Sequence, residues 1–261
     1  MLPVTPFPDV DALLEELLQG ARAVLGEQLI GLYLDGSLVL GDFDPARSDV
    51  DFLAAIADDL FPETAAQLVE MHRRLAASGH PFAAELEGSY IPLRALRRHD
   101  PAGATHLNIE RGPDEVLQPK LHHTDWVIHR HIVREHGVAL FGPPPATLID
   151  SVSPDDLRRA TAGVLRSWWA TAEAADALRR AHPGYRAYAV QTMCRALYTL
   201  EHGAVVSKPA ACRWALASQD GRWRELIKQA MYGELAAEAT SETVSFIGHA
   251  VGKSRHWHPA L

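Results

Sequence analysis

The chain has 261 residues, of which 47% are hydrophobic and 22% are charged, so it can bury a sizeable core in one large domain or two modest ones. Its 25 basic and 33 acidic residues give a formal net charge of −8, which argues against broad electrostatic binding to nucleic acid. No stretch approaches the roughly 18 apolar residues of a membrane span, and residues 1–8 lack the pattern of a signal peptide. We therefore expect a cytoplasmic protein with no nucleic-acid or membrane partner.

The first predicted elements are a helix followed by a strand. Apolar side chains recur at helical spacing over residues 9–25, which indicates a helix that packs against a core. The apolar run of residues 29–34 predicts a strand, and Gly36 and Ser37 follow it where a helix could begin. Glycine lets the backbone approach a ligand, and the first N–H groups of a helix attract anions. We therefore predict a phosphate-binding turn at Gly36 and Ser37.

A pair of acidic residues opens the next predicted strand. Asp49 and Asp51 flank Val50, and the two-residue period of a strand sends both carboxylates to one face, roughly 7 Å apart along the chain. Mg²⁺ is commonly held by one or two carboxylates together with substrate phosphates. The sequence thus predicts a Mg²⁺ site at Asp49 and Asp51, on the element next to the phosphate-binding turn.

This combination resembles a known superfamily. An apolar strand, Gly36-Ser37, eleven intervening residues and Asp49-x-Asp51 are similar to the nucleotidyltransferases typified by DNA polymerase beta. Either motif alone also occurs in ordinary turns and strand ends, whereas the combination between two apolar strands is much more specific. The resemblance implies a nucleotidyltransferase domain, with a mixed sheet and helices, that binds a nucleotide together with Mg²⁺.

A third predicted strand carries two glutamates. Residues 62–77 first predict a helix that covers one face of the sheet, and residues 82–93 then predict the strand. Glu85 and Glu87 lie two residues apart, so we expect them to share a face. For Glu85, solvent exposure on a sheet edge explains a polar residue as well as a function does. The functional interpretation is that one of the two glutamates points towards the predicted metal site.

Further elements complete the first domain. We expect a short strand at residues 106–111 and a helix at residues 120–136, in which His129 faces inward. A run of prolines then marks the exit from this domain. The predicted domains are residues 1–152 and residues 153–261.

The passage over residues 134–143 narrows the resemblance. Its sequence, Arg-Glu-His-Gly-Val-Ala-Leu-Phe-Gly-Pro, is similar to the helix-to-strand passage of the streptomycin and spectinomycin adenylyltransferases. In that family a strand of the form apolar-Glu-x-Thr/Ser carries the catalytic base, and Leu86-Glu87-Gly88-Ser89 fits this form better than the frame that begins at Glu85. The resemblance therefore implies Glu87 as the base that accepts the proton of an acceptor hydroxyl.

From Ser153 onward the pattern is helical throughout. Ser153 can cap a helix, and Pro154 suits its first turn. Glycines and prolines divide the remainder into helices predicted at residues 154–181, 184–203, 208–218, 221–231 and 235–252. We therefore predict an all-α helical bundle as the second domain, which makes the fold class α+β overall.

Three residues of this bundle extend the resemblance. Arg195, Lys208 and Tyr232 match, in order, an arginine, a lysine and a tyrosine of the same adenylyltransferases. The match implies that Arg195 and Lys208 meet the phosphates of the nucleotide and that Tyr232 lies near ATP. Taken singly, each of these residue types on a helix is more commonly part of a solvated face.

The sequence also departs from that family. Where the antibiotic-modifying members have Glu-Trp after the fourth strand, this chain has Glu110-Arg111, and the Trp-x-x-Asp motif of their streptomycin-contacting loop has no clear counterpart. The identity of the acceptor therefore stays open. None of the fourteen histidines has a zinc-binding spacing, so none is assigned a role in catalysis. We expect Cys194 and Cys212 to be buried, reduced thiols.

The predicted function is that of a monomeric, Mg²⁺-dependent enzyme that transfers AMP from ATP to a hydroxyl of a small polar acceptor, first of all an aminoglycoside-type antibiotic. The residues assigned to ATP are Gly36, Ser37, Ser48, Arg195, Lys208 and Tyr232. The acidic residues assigned to a cationic acceptor are Glu85, Glu110 and Asp125. Two alternatives remain, namely an adenylyltransferase that acts on a protein or metabolite hydroxyl, and a non-catalytic nucleotide-binding regulatory protein. Glu87 favours an enzyme, because a pure binder has no chemical need for a base.

Overall fold

The computed structural model describes residues 4–100, 104–112, 114–171, 176–178, 180 and 183–257. The chain divides into two units, Met1–Ser151 and Val152–Leu261. The described elements of the first unit are, in chain order, α1 (Pro8–Leu25), β1 (Leu29–Leu34), α2 (Gly36–Leu40), β2 (Val50–Ile56), α3 (Pro62–Ala76), β3 (Leu86–Pro92), α4 (Leu93–Leu96), β4 (Ala104–Ile109), β5 (Gln118–His122), α5 (Asp125–His136) and β6 (Val138–Phe141).

The six strands form one mixed sheet in the order β5-β4-β3-β2-β1-β6. Among the described strands, only the central pair β2 and β3 runs parallel, while the other neighbours run antiparallel. This pair holds Asp51 beside Glu87 and Leu53 beside Ser89. The first unit therefore contains the mixed sheet with helices that the sequence predicts.

Helices cover both faces of the sheet, and the alternation of side chains assigns each strand residue to one of them. Phe52, Ala54 and Ile56 of β2 pack in one apolar cluster with α1 and α3. Leu53 and Ala55 pack on the opposite face, in a cluster that includes residues of α4 and α5. By the same alternation, the side chains of Asp51 and Glu87 lie on the α5 side of the sheet.

Two predicted elements of this unit are wrong at their starts. Residues 82–93 do not form one strand, because Ala83–Glu85 is a 3₁₀ turn and β3 begins at Leu86. Residues 120–136 do not form one helix, because Gln118–His122 pairs with β4 as the edge strand β5. Pro119 makes this segment look unlike a strand in the sequence, because proline is rare in strands and is tolerated mainly on a sheet edge.

The regular elements described in the second unit are all helices, and no strand occurs among its described residues. The α-helices with described bounds are α6 (Pro154–Val164), α7 (Pro183–His202), α8 (Lys208–Ser218), α9 (Arg224–Met231) and α10 (Thr240–Ser254). Ser153 caps α6 as predicted, because its side chain accepts a hydrogen bond from the Asp156 N–H. Cys194 and Cys212 are buried and not disulfide-bonded, which confirms that prediction.

The prediction of one continuous helix over residues 154–181 is wrong. After α6 the chain passes into a π-helical turn at Leu165–Trp169, and the backbone leaves helical geometry at Ala170. A π turn shifts the hydrogen-bond pattern by one residue, which apolar periodicity does not reveal. The positions 172–175, 179 and 181–182 of the same predicted helix lie outside the described residues.

Among the described residues, no helix is both long and apolar enough to span a membrane.

Three buried histidines lead to a prediction about acid stability. Burial lowers the pKa of His72 and of His106 to about 4, and that of His122 to about 2. The unfolded chain takes up protons on these residues below pH 6.5, whereas the folded chain does not, so the free energy of unfolding should fall as the pH drops from 6.5 towards 4. Each pKa unit of difference corresponds to about 1.4 kcal/mol, and the total loss should reach several kcal/mol. Urea unfolding at a series of pH values measures this slope.

The matched variant is His72→Gln. The ring of His72 forms a hydrogen bond with the Tyr90 hydroxyl at 2.9 Å, and the glutamine amide can take the place of the ring in this bond. The variant should show a shallower loss of stability between pH 6.5 and pH 4 than the wild type. A dependence of the unfolding free energy on pH that is the same in His72→Gln and in the wild type would contradict the expectation.

Candidate active site

Three carboxylates meet at one end of the central strand pair. One oxygen from each of Asp49, Asp51 and Glu87 lies within 4.8 Å of the others. The parallel register sets Asp51 directly beside Glu87, and Asp49 precedes Asp51 by the two residues that return a side chain to the same face. The sheet thus brings together the two predicted metal ligands and the predicted base.

The glycine turn lies against this cluster. Gly36 has a positive φ of 63°, and a Cβ atom added to it would collide with the Asp51 carboxylate. Only glycine fits here, because both the backbone conformation and the space exclude a side chain. The next residue, Ser37, is in α2, and its buried Oγ atom has no hydrogen-bond partner among the described residues. The predicted phosphate-binding turn therefore lies next to the predicted metal ligands and carries an unsatisfied hydroxyl.

The electrostatics of the cluster favour a bound cation. Burial, followed by the charges of Asp49, Asp35 and Glu87, raises the pKa of Asp51 well above its usual value. Burial and the charge of Asp49 likewise raise the pKa of Glu87. Several carboxylates in this space repel one another, and a divalent cation relieves the repulsion. Three carboxylates that converge within 4.8 Å are a donor set that fits Mg²⁺, which takes oxygen ligands.

Asp35 and His129 add an ion pair that the sequence did not indicate. Asp35 is 5% exposed and its Oδ2 atom lies 3.2 Å from Nδ1 of His129, while its Oδ1 atom has no hydrogen-bond partner in the part of the chain that the structure describes. Burial lowers the pKa of His129, but the hydrogen bond and charge of Asp35, together with Asp125 and Asp51, outweigh burial and raise the pKa to about 9. A cationic imidazole therefore lies beside the carboxylate cluster. The two residues are 94 positions apart, so no local motif connects them.

Arg111 lies at the rim of the cluster. Its guanidinium forms an ion pair with Glu85 at 3.0 Å, donates a hydrogen bond to the Arg47 carbonyl oxygen at 3.1 Å and lies 3.9 Å from Oδ2 of Asp49. Glu85 occupies the 3₁₀ turn before β3 rather than the strand itself, so the prediction that it shares a strand face with Glu87 is wrong. Its position beside Arg111 nevertheless keeps Glu85 close to Asp49.

The remaining predicted residues of the first unit have partners of their own. Ser48 accepts a hydrogen bond from the Asp44 N–H at 2.9 Å and so closes the loop that leads into Asp49. Glu110 forms an ion pair with Lys120 of β5. Asp125 lies in the first turn of α5, where its buried Oδ1 atom bonds no other described residue.

The other three predicted nucleotide ligands belong to the second unit. Arg195 is a half-buried residue of α7. Lys208 begins α8, and its ammonium group lies 4.6 Å from the centre of the Tyr188 ring. Tyr232 follows α9 and is 84% exposed. Their predicted contact with a nucleotide stays a prediction.

Comparisons with known proteins show what this chain is similar to. Residues 147–250 match the family model described as the C-terminal domain of aminoglycoside adenylyltransferase. An aminoglycoside (3'')(9) adenylyltransferase of Shigella flexneri is 26% identical over 88% of this chain and 87% of its own length. A spectinomycin 9-adenylyltransferase of Staphylococcus aureus is 24% identical over 77% of this chain and 76% of its own.

A solved structure extends the comparison to the fold. The spectinomycin adenyltransferase of Enterococcus faecialis, crystallised with ATP and spectinomycin, superposes with a TM-score of 0.72 at 18% identity. The alignment covers 94% of this chain and 99% of that one. These findings confirm the predicted α+β fold class and the predicted resemblance to the streptomycin and spectinomycin adenylyltransferases.

Proposed function

We infer the function of this chain from the premise that it is a nucleotidyltransferase resembling the aminoglycoside and spectinomycin adenylyltransferases. We propose that it transfers AMP from ATP to a hydroxyl group of a small polar acceptor in the presence of Mg²⁺. The observation that carries the proposal is the convergence of Asp49, Asp51 and Glu87 within 4.8 Å, directly beside the turn at Gly36. Metal ligands, a base and a phosphate-binding turn are the parts that this reaction needs.

Asp49 and Asp51 would hold the metal. Bound there, Mg²⁺ would neutralise the charge of the nucleotide phosphates and orient them. The fit rests on the crowding of the carboxylates, because the pKa of Asp51 is raised well above its usual value by burial and then by its acidic neighbours. Burial and neighbouring carboxylates disfavour the ionised form of Asp51, and a bound cation would stabilise that form.

Glu87 would act as the general base. It takes the proton of the acceptor hydroxyl as the oxygen attacks the α-phosphorus, the bond from that phosphorus to the β-phosphate oxygen breaks, and pyrophosphate leaves. Burial and Asp49 raise the pKa of Glu87, and a carboxylate with a higher pKa is the stronger proton acceptor while it remains ionised. Its place beside Asp51 in the sheet supports this role.

We propose six residues as ligands of the nucleotide. Gly36, Ser37 and Ser48 lie on or next to the elements that carry the carboxylates. From the second unit, Arg195 and Lys208 would neutralise phosphate charge, and the exposed ring of Tyr232 would pack near the nucleotide. The buried Oγ atom of Ser37, which has no partner within the described residues, supports a phosphate contact at the turn.

The names of the relatives support an acceptor of the aminoglycoside type, and with it a role in antibiotic resistance. A hydroxyl of a metabolite or a protein is the second candidate acceptor, because Arg111 replaces the aromatic residue found in the antibiotic-modifying family. We also keep the predictions of a cytoplasmic monomer that binds neither nucleic acid nor membranes. A non-catalytic nucleotide binder is disfavoured by the position of Glu87 beside the metal ligands.

The proposal is tested by following two labels. The purified protein is incubated with Mg²⁺, a panel of aminoglycosides and aminocyclitols, and ATP labelled at either the α- or the γ-phosphate. Adenylyl transfer should move the α label, and not the γ label, onto an acceptor. Movement of the γ label would indicate phosphoryl transfer, and the absence of label on every acceptor would reject an antibiotic-modifying enzyme.

A substitution in the second unit tests its part in nucleotide binding. Lys208→Gln should weaken the binding of ATP with Mg²⁺ by about 10- to 100-fold, because a charge-assisted hydrogen bond to phosphate contributes about 1.5–3 kcal/mol. Isothermal titration calorimetry measures the affinity. Arg213→Gln is the control, since it removes a positive charge from an exposed position of the same helix. Equal affinity in wild type and Lys208→Gln would remove Lys208 from the nucleotide site.

A further inference from the structure

Positive side chains surround the proposed base. Burial and the charge of Asp49 raise the pKa of Glu87, and the charges of His129, Lys120 and Arg111 oppose that rise. These three cations therefore lie close enough to act on the carboxylate where the acceptor hydroxyl would have to approach. His129 comes from α5, Lys120 from the edge strand β5, and Arg111 from the end of β4.

The acidic residues predicted to attract a cationic acceptor already face cations of this chain. Glu110 forms an ion pair with Lys120, and Glu85 forms one with Arg111 at 3.0 Å. The charge of Asp125 acts on His129, whose pKa it helps to raise. Since each of the three acids has a cationic neighbour, they offer less attraction to the ammonium groups of an acceptor than their sequence suggests.

Arg111 is the cation best fixed for a role in selection. Its guanidinium has three partners that hold it in place: the Arg47 carbonyl oxygen at 3.1 Å, the Glu85 carboxylate at 3.0 Å and the Asp49 carboxylate at 3.9 Å. The side chain is still 46% exposed, so one side of it faces solvent at the rim of the site. A guanidinium keeps its charge at every physiological pH. An incoming acceptor therefore meets a fixed positive charge next to a proposed metal ligand.

We propose that Arg111, held by Glu85, determines the specificity of the site and selects an acceptor whose reacting hydroxyl is not flanked by ammonium groups. The inference rests on the proposed function, since it names the class of acceptor for that reaction. A neutral or weakly cationic polyol meets no like charge at Arg111, whereas a polycation brings like charge against the guanidinium and finds Glu85 and Glu110 already paired. Like-charge contacts of this kind act as a filter against the wrong partner.

The test compares one acceptor in two charge states. The probes are the aminoglycoside or aminocyclitol that accepts the α label best and its N-acetylated derivative, which keeps the hydroxyls and loses the positive charges. In Arg111→Gln, kcat/KM for the parent acceptor should rise about tenfold, and kcat/KM for the derivative should stay within about twofold of the wild type. Calorimetric binding of both probes, at low and at high salt, gives a second readout that does not depend on turnover. The gain for the parent should shrink at high salt.

Arg97→Gln is the matched control. Arg97 is also an exposed arginine in an ion pair, with Asp150 at 3.0 Å, but it follows α4, beyond the opposite end of β3 and roughly 20 Å along the chain from Glu87. This variant should change neither acceptor. Glu85→Gln should act in the opposite direction to Arg111→Gln and lower kcat/KM for the parent, because it leaves the guanidinium charge uncompensated.

The outcomes separate the inference from the function on which it rests. If Arg111→Gln changes both probes by the same factor, or lowers kcat/KM for the charged parent, Arg111 does not select by charge and the inference is overturned while adenylyl transfer stands. If the wild type transfers the α label to no acceptor, the proposed function fails and the inference fails with it.

Discussion

Replacing Asp51 with asparagine should lower adenylyl transfer by several orders of magnitude and leave the fold intact. The substitution keeps the shape of the side chain and removes one of the charges that would hold Mg²⁺ against the phosphates. It should also raise the thermal stability of the metal-free protein at neutral pH. Burial and three acidic neighbours raise the pKa of Asp51, and an acid with a raised pKa lowers the stability of the folded state as the pH rises from its unfolded pKa through its folded pKa.

Two measurements check this expectation. Steady-state kinetics give the loss in kcat/KM, and calorimetric melting with and without Mg²⁺ gives the stability and its response to metal. Asp59→Asn is the control, because Asp59 follows the other end of β2 and forms an exposed ion pair with Arg94. Wild-type activity in Asp51→Asn would reject the metal assignment. So would a rise in melting temperature on addition of Mg²⁺ that is the same in the variant and the wild type.

Replacing Glu87 with glutamine should lower kcat about 10²- to 10⁴-fold, the usual contribution of a positioned base. The affinity for ATP with Mg²⁺ should stay close to that of the wild type, because a base matters in the chemical step and Asp49 and Asp51 remain to hold the metal. Single-turnover kinetics with labelled ATP measure the chemical step, and calorimetry measures the affinity.

Glu85→Gln is the matched comparison for Glu87→Gln. Glu85 lies in the turn before β3 and is paired with Arg111, so it should affect KM for a charged acceptor and not the chemical step. If Glu85→Gln abolishes turnover and Glu87→Gln does not, the base has been assigned to the wrong glutamate. If neither substitution matters, the protein is better described as a nucleotide binder without turnover.

The carboxylate cluster shows what the sequence could predict. The spacing of Asp49 and Asp51 sets them on one face of a strand whatever the rest of the fold does, because that geometry is local. The resemblance to adenylyltransferases then selected Glu87 over Glu85. The structure supplies the physical counterpart, since the parallel register sets Glu87 beside Asp51 while Glu85 falls in a 3₁₀ turn.

The residues that the sequence analysis missed depend on contacts between distant parts of the chain. The pair of Asp35 and His129 joins the residue after β1 to α5 across 94 residues, and neither residue has a motif that indicates the other. Arg111 departs from a family pattern, but the sequence does not indicate its ion pair with Glu85. The predicted strand begins at residue 82, whereas β3 begins at Leu86 and leaves Glu85 in the turn before it. The sequence predicts His122 in a helix, because Pro119 argues against a strand there. In the structure His122 is a buried residue of the edge strand β5.

The most direct test of adenylyl transfer at the Asp49, Asp51 and Glu87 cluster is a stoichiometric assay under metal control. Pyrophosphate release and acceptor-linked AMP are measured together, before and after removal of divalent metal with EDTA and after Mg²⁺ is restored. We expect one pyrophosphate per adenylylated acceptor, loss of both products without metal, and recovery of both with Mg²⁺ in the wild type but not in Asp51→Asn. Transfer that continues in EDTA, or pyrophosphate release with no AMP on any acceptor, would contradict the assignment.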